Sequence, residues 1–161
     1  MKSLVILGVL VTAPMGCASD PAQIAGDYTV GVTNRDNGCN FANWTVGNMT
    51  AGVDVKIAES GKNVTADVTG GVGAVLDLAF GSSSFTGTID GNELDLTLEG
   101  TRVQQTGTCT YTYNGQILAT ANGDTMTGRI NYTPATNGNS DCTAVSGCLT
   151  YQEFNGSRPP Q

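Results

Sequence analysis

The chain has 161 residues, enough for one domain with a single core. Only 13% of them are charged, about half the usual share, and glycine occurs 22 times. The formal net charge is −7, and there is no histidine. The few Lys and Arg are scattered, so no basic patch exists for phosphates, which argues against nucleic-acid binding. The lack of histidine removes the usual general base, the commonest metal ligand and the physiological pH switch.

The first predicted element is a leader. Lys2 precedes an apolar run from Leu4 to Val11. That run is shorter than the roughly 20 residues of a membrane span and has the length of a signal-peptide core. Residues 1–16 are therefore expected to be a signal peptide and the chain to be exported. The stretch Pro14-Met15-Gly16-Cys17 resembles the lipobox of bacterial lipoproteins, with Pro14 standing where that pattern carries a Leu-like residue. The resemblance implies a diacylglyceryl thioether on Cys17, which becomes the new N-terminus and anchors the chain to a membrane. Ala18 in place of Asp implies the outer membrane of a bacterial envelope. Ordinary cleavage after Ala18, which discards Cys17, is the competing expectation. Residues 17–25 are then the lipidated N-terminus and tether, and 26–161 a single β domain.

From Gly26 onward the pattern has a period of two. Tyr28, Val30 and Val32 alternate with polar or small residues, as do Val53, Val55 and Ile57, then Val64, Ala66 and Val68. Leu76, Leu78 and Phe80 read as the inward face of a further strand. Leu94, Leu96 and Leu98 follow, opposed by Asp95, Thr97 and Glu99, and then Met126, Gly128, Ile130 and Tyr132. Such alternation marks strands with one buried and one wet face. Turns are expected at Glu59-Ser60-Gly61-Lys62, Asp90-Gly91-Asn92, Asn114-Gly115 and Asn122-Gly123-Asp124, where glycine supplies the positive φ of tight hairpins. The echo between "SFTGTID" (84–90) and "TMTGRIN" (125–131) suits two similar barrel strands, with Gly87 and Gly128 at bent, crowded positions.

The fold class expected is all-β: an antiparallel up-and-down meander of about eight to ten strands that closes into a barrel and so removes its edges. A β-sandwich is the alternative. Gly26-Asp27-Tyr28 resembles the opening Gly-x-Trp of the lipocalin and avidin group of barrels, with Tyr replacing Trp. That resemblance implies an arginine across the barrel floor, a position open to Arg158 just past the last strand.

Five cysteines cannot all pair. Setting Cys17 aside leaves Cys39, Cys109, Cys142 and Cys148 as a disulfide set. Three pairings are open: Cys142 with Cys148 and Cys39 with Cys109, or Cys39 with either Cys142 or Cys148 and Cys109 with the other. No Cys-x-x-Cys spacing accompanies them, so no metal is expected.

No catalytic residue is assigned and no cofactor is expected, because a nucleophile here lacks a histidine base. Asp90, Glu93 and Asp95 read as ordinary surface charge. Asn34, Asp36 and Asn37 read as a polar loop, without the spacing of a calcium loop. Trp44, the single tryptophan, and Phe41 are the candidates for a ligand mouth, with core packing as the other role of Trp44. The function expected is non-enzymatic: an envelope lipoprotein whose barrel binds a small ligand. The alternative is a structural or protein-inhibiting module acting on an envelope protein through loops 34–51 and 134–148.

Overall fold

A computed structural model describes residues 21–160; the expected signal peptide (1–16) and Cys17 lie outside the described residues. The strands are β1 (Gly26–Asn37), β2 (Met49–Ser60), β3 (Asn63–Val68), β4 (Ser84–Asp90), β5 (Glu93–Leu98), β6 (Gln104–Thr106), β7 (Cys109–Asn122), β8 (Thr125–Thr136) and β9 (Thr150–Ser157). One helix, α1 (Gly70–Phe80), lies between β3 and β4, and a short 3₁₀ turn (Ser140–Ala144) precedes β9.

All pairings are antiparallel. β1 to β5 pair in sequence, β5 pairs with β7, and β7, β8 and β9 follow until β9 returns to β1. Eight strands thus form a closed barrel. β6 is an extra strand that pairs with the first residues of β7, beyond the point where β5 ends opposite Gly115. Closure leaves the barrel wall without a free edge.

The local causes follow the expected pattern over most of the chain. In β5, Leu94, Leu96 and Leu98 are buried while Glu93, Asp95 and Thr97 face water. Gly61, Gly91 and Gly123 begin two-residue hairpin turns at φ near +60°, the requirement at the first position of a type II′ turn. Gly87 and Gly128 both face inward. A Cβ on Gly87 would stand 2.1 Å from the Asp95 carbonyl oxygen, and one on Gly128 would stand 2.4 Å from that of Leu118. The echoed motif marks two places where neighbouring strands press too close for any side chain.

Two expectations are corrected. Leu76, Leu78 and Phe80 do not share a strand face: they belong to α1, where Val72, Leu76, Ala79 and Phe80 face the barrel and Leu78 is 75% exposed. Gly70 (φ +66°) turns the chain out of β3, and Gly81 (φ +87°) closes the helix, donating its N–H to the Asp77 carbonyl. Above the closed ladder no strand partner remains, and a helix satisfies its own backbone groups. Asn114-Gly115 is not a turn but lies within the 14 residues of β7. A Cβ on Gly115 would meet the Phe85 ring at 2.9 Å, and the Asn114 side-chain oxygen accepts from the Gly100 N–H. Glycine makes room for an aromatic ring there rather than reversing the chain.

The two ends of the barrel differ. At one end are the tight turns at 61–62, 91–92 and 123–124. Residues 22–25, read from the sequence as tether, lie against this floor. Ile24 is fully buried and donates its N–H to Glu59, and Ala22 donates to the Gly91 carbonyl. Arg158 lies across the same end, bonded to Asp124 and to the carbonyls of Gln23 and Ala25.

Candidate ligand cavity at the loop end of the barrel

The opposite end carries every long connection: 38–48, 69–83, 99–108 and 137–149. Two disulfides hold it. Cys39–Cys148 joins the first of these loops to the last, and Cys109–Cys142 joins the start of β7 to the last. This is one of the pairings left open by the sequence. Thr108 reinforces the second bridge through its N–H and hydroxyl, which both donate to Asp141; these bonds hold the Asp141 carboxyl below the usual carboxylate range.

Below these loops the barrel encloses a cavity of about 1140 Å³. Its walls are aliphatic and aromatic: Val30, Val55, Ile57, Leu96, Ile117 and Phe154 are representative. Among the described residues lining it, none is charged. An eight-stranded barrel is just wide enough to hold one small ligand, and ligand cavities are commonly apolar with a few placed polar groups.

Both predicted mouth residues line this cavity. Phe41 is fixed by Asn37, whose side chain accepts from the Phe41 N–H at 2.7 Å and donates to its carbonyl at 3.0 Å. Trp44 donates its indole N–H to the Arg35 carbonyl at 2.7 Å. The two rings meet edge to face at 5.9 Å. Trp44 is thus both packed against the core and part of the cavity wall.

Tyr132, at the inner face of β8, is the hub of the aromatic collar. It contacts Phe41 and Trp44 edge to face and stacks on Phe80 of α1 at 5.4 Å. Phe41 also meets Tyr113 at 4.7 Å, and Tyr113 meets Tyr111. Such offset and edge contacts add to simple burial. Burial pushes the Tyr132 phenol far above its ordinary range; burial and then Tyr111 push Tyr113 up. The collar stays uncharged at ordinary pH.

One polar chain is set into this wall. The Tyr132 hydroxyl donates to Gln152 Oε1 at 2.7 Å, and Gln152 Nε2 donates to Asn34 Oδ1 at 2.8 Å. Asn34, Asp36 and Asn37, read from the sequence as a polar loop, instead lie in β1, and Asn34 stands on the barrel wall opposite Gln152. Asp90, Glu93 and Asp95 lie outside the barrel, in surface hydrogen bonds with Lys62, Thr120 and Gln116 respectively. Among the described residues no group of three or more His, Cys, Asp or Glu could hold a metal ion, and no helix is long and apolar enough to cross a membrane.

Sequence reasoning missed Tyr111, Tyr113, Tyr132, Phe80 and Gln152 as cavity residues. Tyr132 sits in an alternating strand and reads as plain core, while Tyr111 and Tyr113 have no role assigned from the sequence; only the wall geometry marks them as cavity residues. No family model, curated protein or solved structure matches the chain.

Proposed function

We propose that this chain is a non-enzymatic binding protein that takes a small apolar ligand into the barrel from the loop end, and that it is a lipid-anchored protein of a bacterial envelope. The carrying observation is the uncharged cavity of about 1140 Å³ under the aromatic collar. Arg158 across Tyr28 supports the resemblance to the lipocalin group of barrels. The lipobox-like Gly16-Cys17 supports the anchor. The binding test is titration with N-phenyl-1-naphthylamine, a neutral dye that brightens in apolar sites. Binding raises dye emission and alters Trp44 emission, and no change in either refutes the reading. Mass spectrometry of the N-terminus from the native host tests the anchor: a lipid on Cys17 supports it, and a free N-terminus beyond Cys17 refutes it.

A second reading has one observation in its favour. Val46, Met49, Val75, Leu78, Val103 and Leu149 are exposed, and all lie at the loop end. An apolar rim of this kind suits contact with an envelope protein. A photo-crosslinker at position 78 would then trap a protein partner in the envelope, and the dye would still bind the isolated chain.

A further inference from the structure

We propose that the cavity selects uncharged lipophiles bearing a single hydroxyl or carbonyl, which hydrogen-bonds to the Gln152 amide. The inference rests on the ligand-binding reading above and specifies the chemistry of the ligand.

The first observation is the absence of any charged counterpart. Six cationic side chains occur among the described residues, and none lines the cavity. Arg35 is paired with Glu153, Lys62 with Asp90 and Arg158 with Asp124. Arg129 lies over the Tyr151 ring and donates to Asn131. Lys56 is exposed on β2, opposite Asp27 and Asp67 in the ladder. Arg102, at the loop end, is exposed and donates to the Asp77 carbonyl. A carboxylate or ammonium carried into the barrel would leave water and gain no opposite charge, which is strongly unfavourable.

The second observation is the amide itself. Among the polar side chains lining the cavity, Asn40, Thr50, Gln104 and Thr106 belong to the loops or to strand ends at the mouth. Gln152 is the amide inside the strand ladder, on β9 between the buried Thr150 and the partly buried Phe154. Tyr28, Tyr111, Tyr113 and Tyr132 also line the cavity from the ladder, and the Tyr28 hydroxyl is buried without a hydrogen-bond partner among the described residues. The Gln152 oxygen accepts from Tyr132 and one of its amide hydrogens goes to Asn34. The other hydrogen and the second lone pair have no partner among the described residues. An amide held in this way can donate to a carbonyl or both donate to and accept from a hydroxyl. The bonds from Tyr132 and to Asn34 fix its orientation before a ligand arrives, so little ordering remains to be done on binding. The collar of Phe41, Trp44, Phe80 and Tyr132 surrounds the hydrocarbon part.

The test is displacement of N-phenyl-1-naphthylamine at neutral pH by 1-decanol, decanoate and decylammonium, three ligands that share one chain and differ in the head group. Decanol is expected to displace the dye at a concentration at least about tenfold lower than either ion. Gln152→Leu is expected to weaken decanol about fivefold relative to the dye bound by the same variant, the worth of one hydrogen bond. Decanoate or decylammonium equal to decanol overturns the proposal, and so does decanol indifferent to Gln152→Leu. The ligand series on the unaltered chain decides the matter even if Gln152→Leu folds poorly. Should the dye itself fail to bind, the ligand-binding reading falls, and this proposal with it; should the dye bind and head groups not matter, only the selectivity falls.

Discussion

The guanidinium of Arg158 lies over the ring of Tyr28, its central carbon 5.6 Å from the ring centroid. The same guanidinium bonds to Asp124 in the β7–β8 turn and to two carbonyls of the segment before β1. Its side chain is 7% exposed. One residue thus closes the floor by joining the last strand, a hairpin turn and the N-terminal segment. Arg158→Ala should lower unfolding stability by about 2–4 kcal/mol, because it strands Asp124 and frees the floor segment. Arg158→Lys should recover less than half of that, since lysine lacks the planar fork that reaches three acceptors. Urea unfolding of the two variants measures both; equal stability of Arg158→Ala and the unaltered chain would show that Arg158 does not hold the floor.

Gly87 and Gly71 make a contrasting pair. Gly87→Ala drives a methyl into the Asp95 carbonyl and should destabilise by about 1–3 kcal/mol. Gly71 lies in α1 with nothing within 4 Å of the place a methyl group would take, so Gly71→Ala should stabilise by up to about 1 kcal/mol through helix propensity. Thermal melts of the two variants should move in opposite directions.

The disulfides close loops of very different span, 109 residues for Cys39–Cys148 and 33 for Cys109–Cys142. Chain-entropy arguments assign them about 5 and about 4 kcal/mol. Paired replacement by serine at Cys39 and Cys148 should cost more stability than at Cys109 and Cys142. It should also weaken dye binding more, because Cys39 lines the cavity two residues before Phe41. Denaturant midpoints and dye titrations on the two double variants test the order.

Alkaline pH should loosen the fold. Burial first of all raises Tyr28, Tyr113 and Tyr132 above the ordinary value of 10.0. Below pH 10 both folded and unfolded chains keep these protons, so stability is on its plateau. Above it the unfolded chain releases protons that the folded chain still holds, and stability falls as pH rises. Unfolding free energy should therefore decline as pH rises from about 10 to 11, and Tyr132→Phe should flatten part of that decline. A curve with no fall over this interval would contradict the buried state of the phenols.

Most strands and three of the four expected turns were legible because the alternation in β1, β2, β3, β5 and β8 maps directly onto a one-sided barrel wall. α1 was not, since Leu76, Leu78 and Phe80 alternate as a strand would. The competing spacing of Val72, Leu76, Ala79 and Phe80 was also present, and the glycines at 70 and 81 decided between them. Asn114-Gly115 misled because a turn dipeptide and a glycine that spares room for Phe85 look alike in sequence. Phe41 and Trp44 stood out by rarity in a chain with few aromatics. Gln152 carried no local signal: its role comes from Asn34 and Tyr132, 118 and 20 residues away.

Arg158 and Gln23 leave the barrel side by side, at the end farthest from the collar. The fold therefore works as a cup whose handle and base coincide. A reporter domain or surface linker joined at either side would hang beneath the cup and leave its rim in free solution. On any support the rims would all point outward, so orientation is built into the topology and does not depend on which side carries the linker.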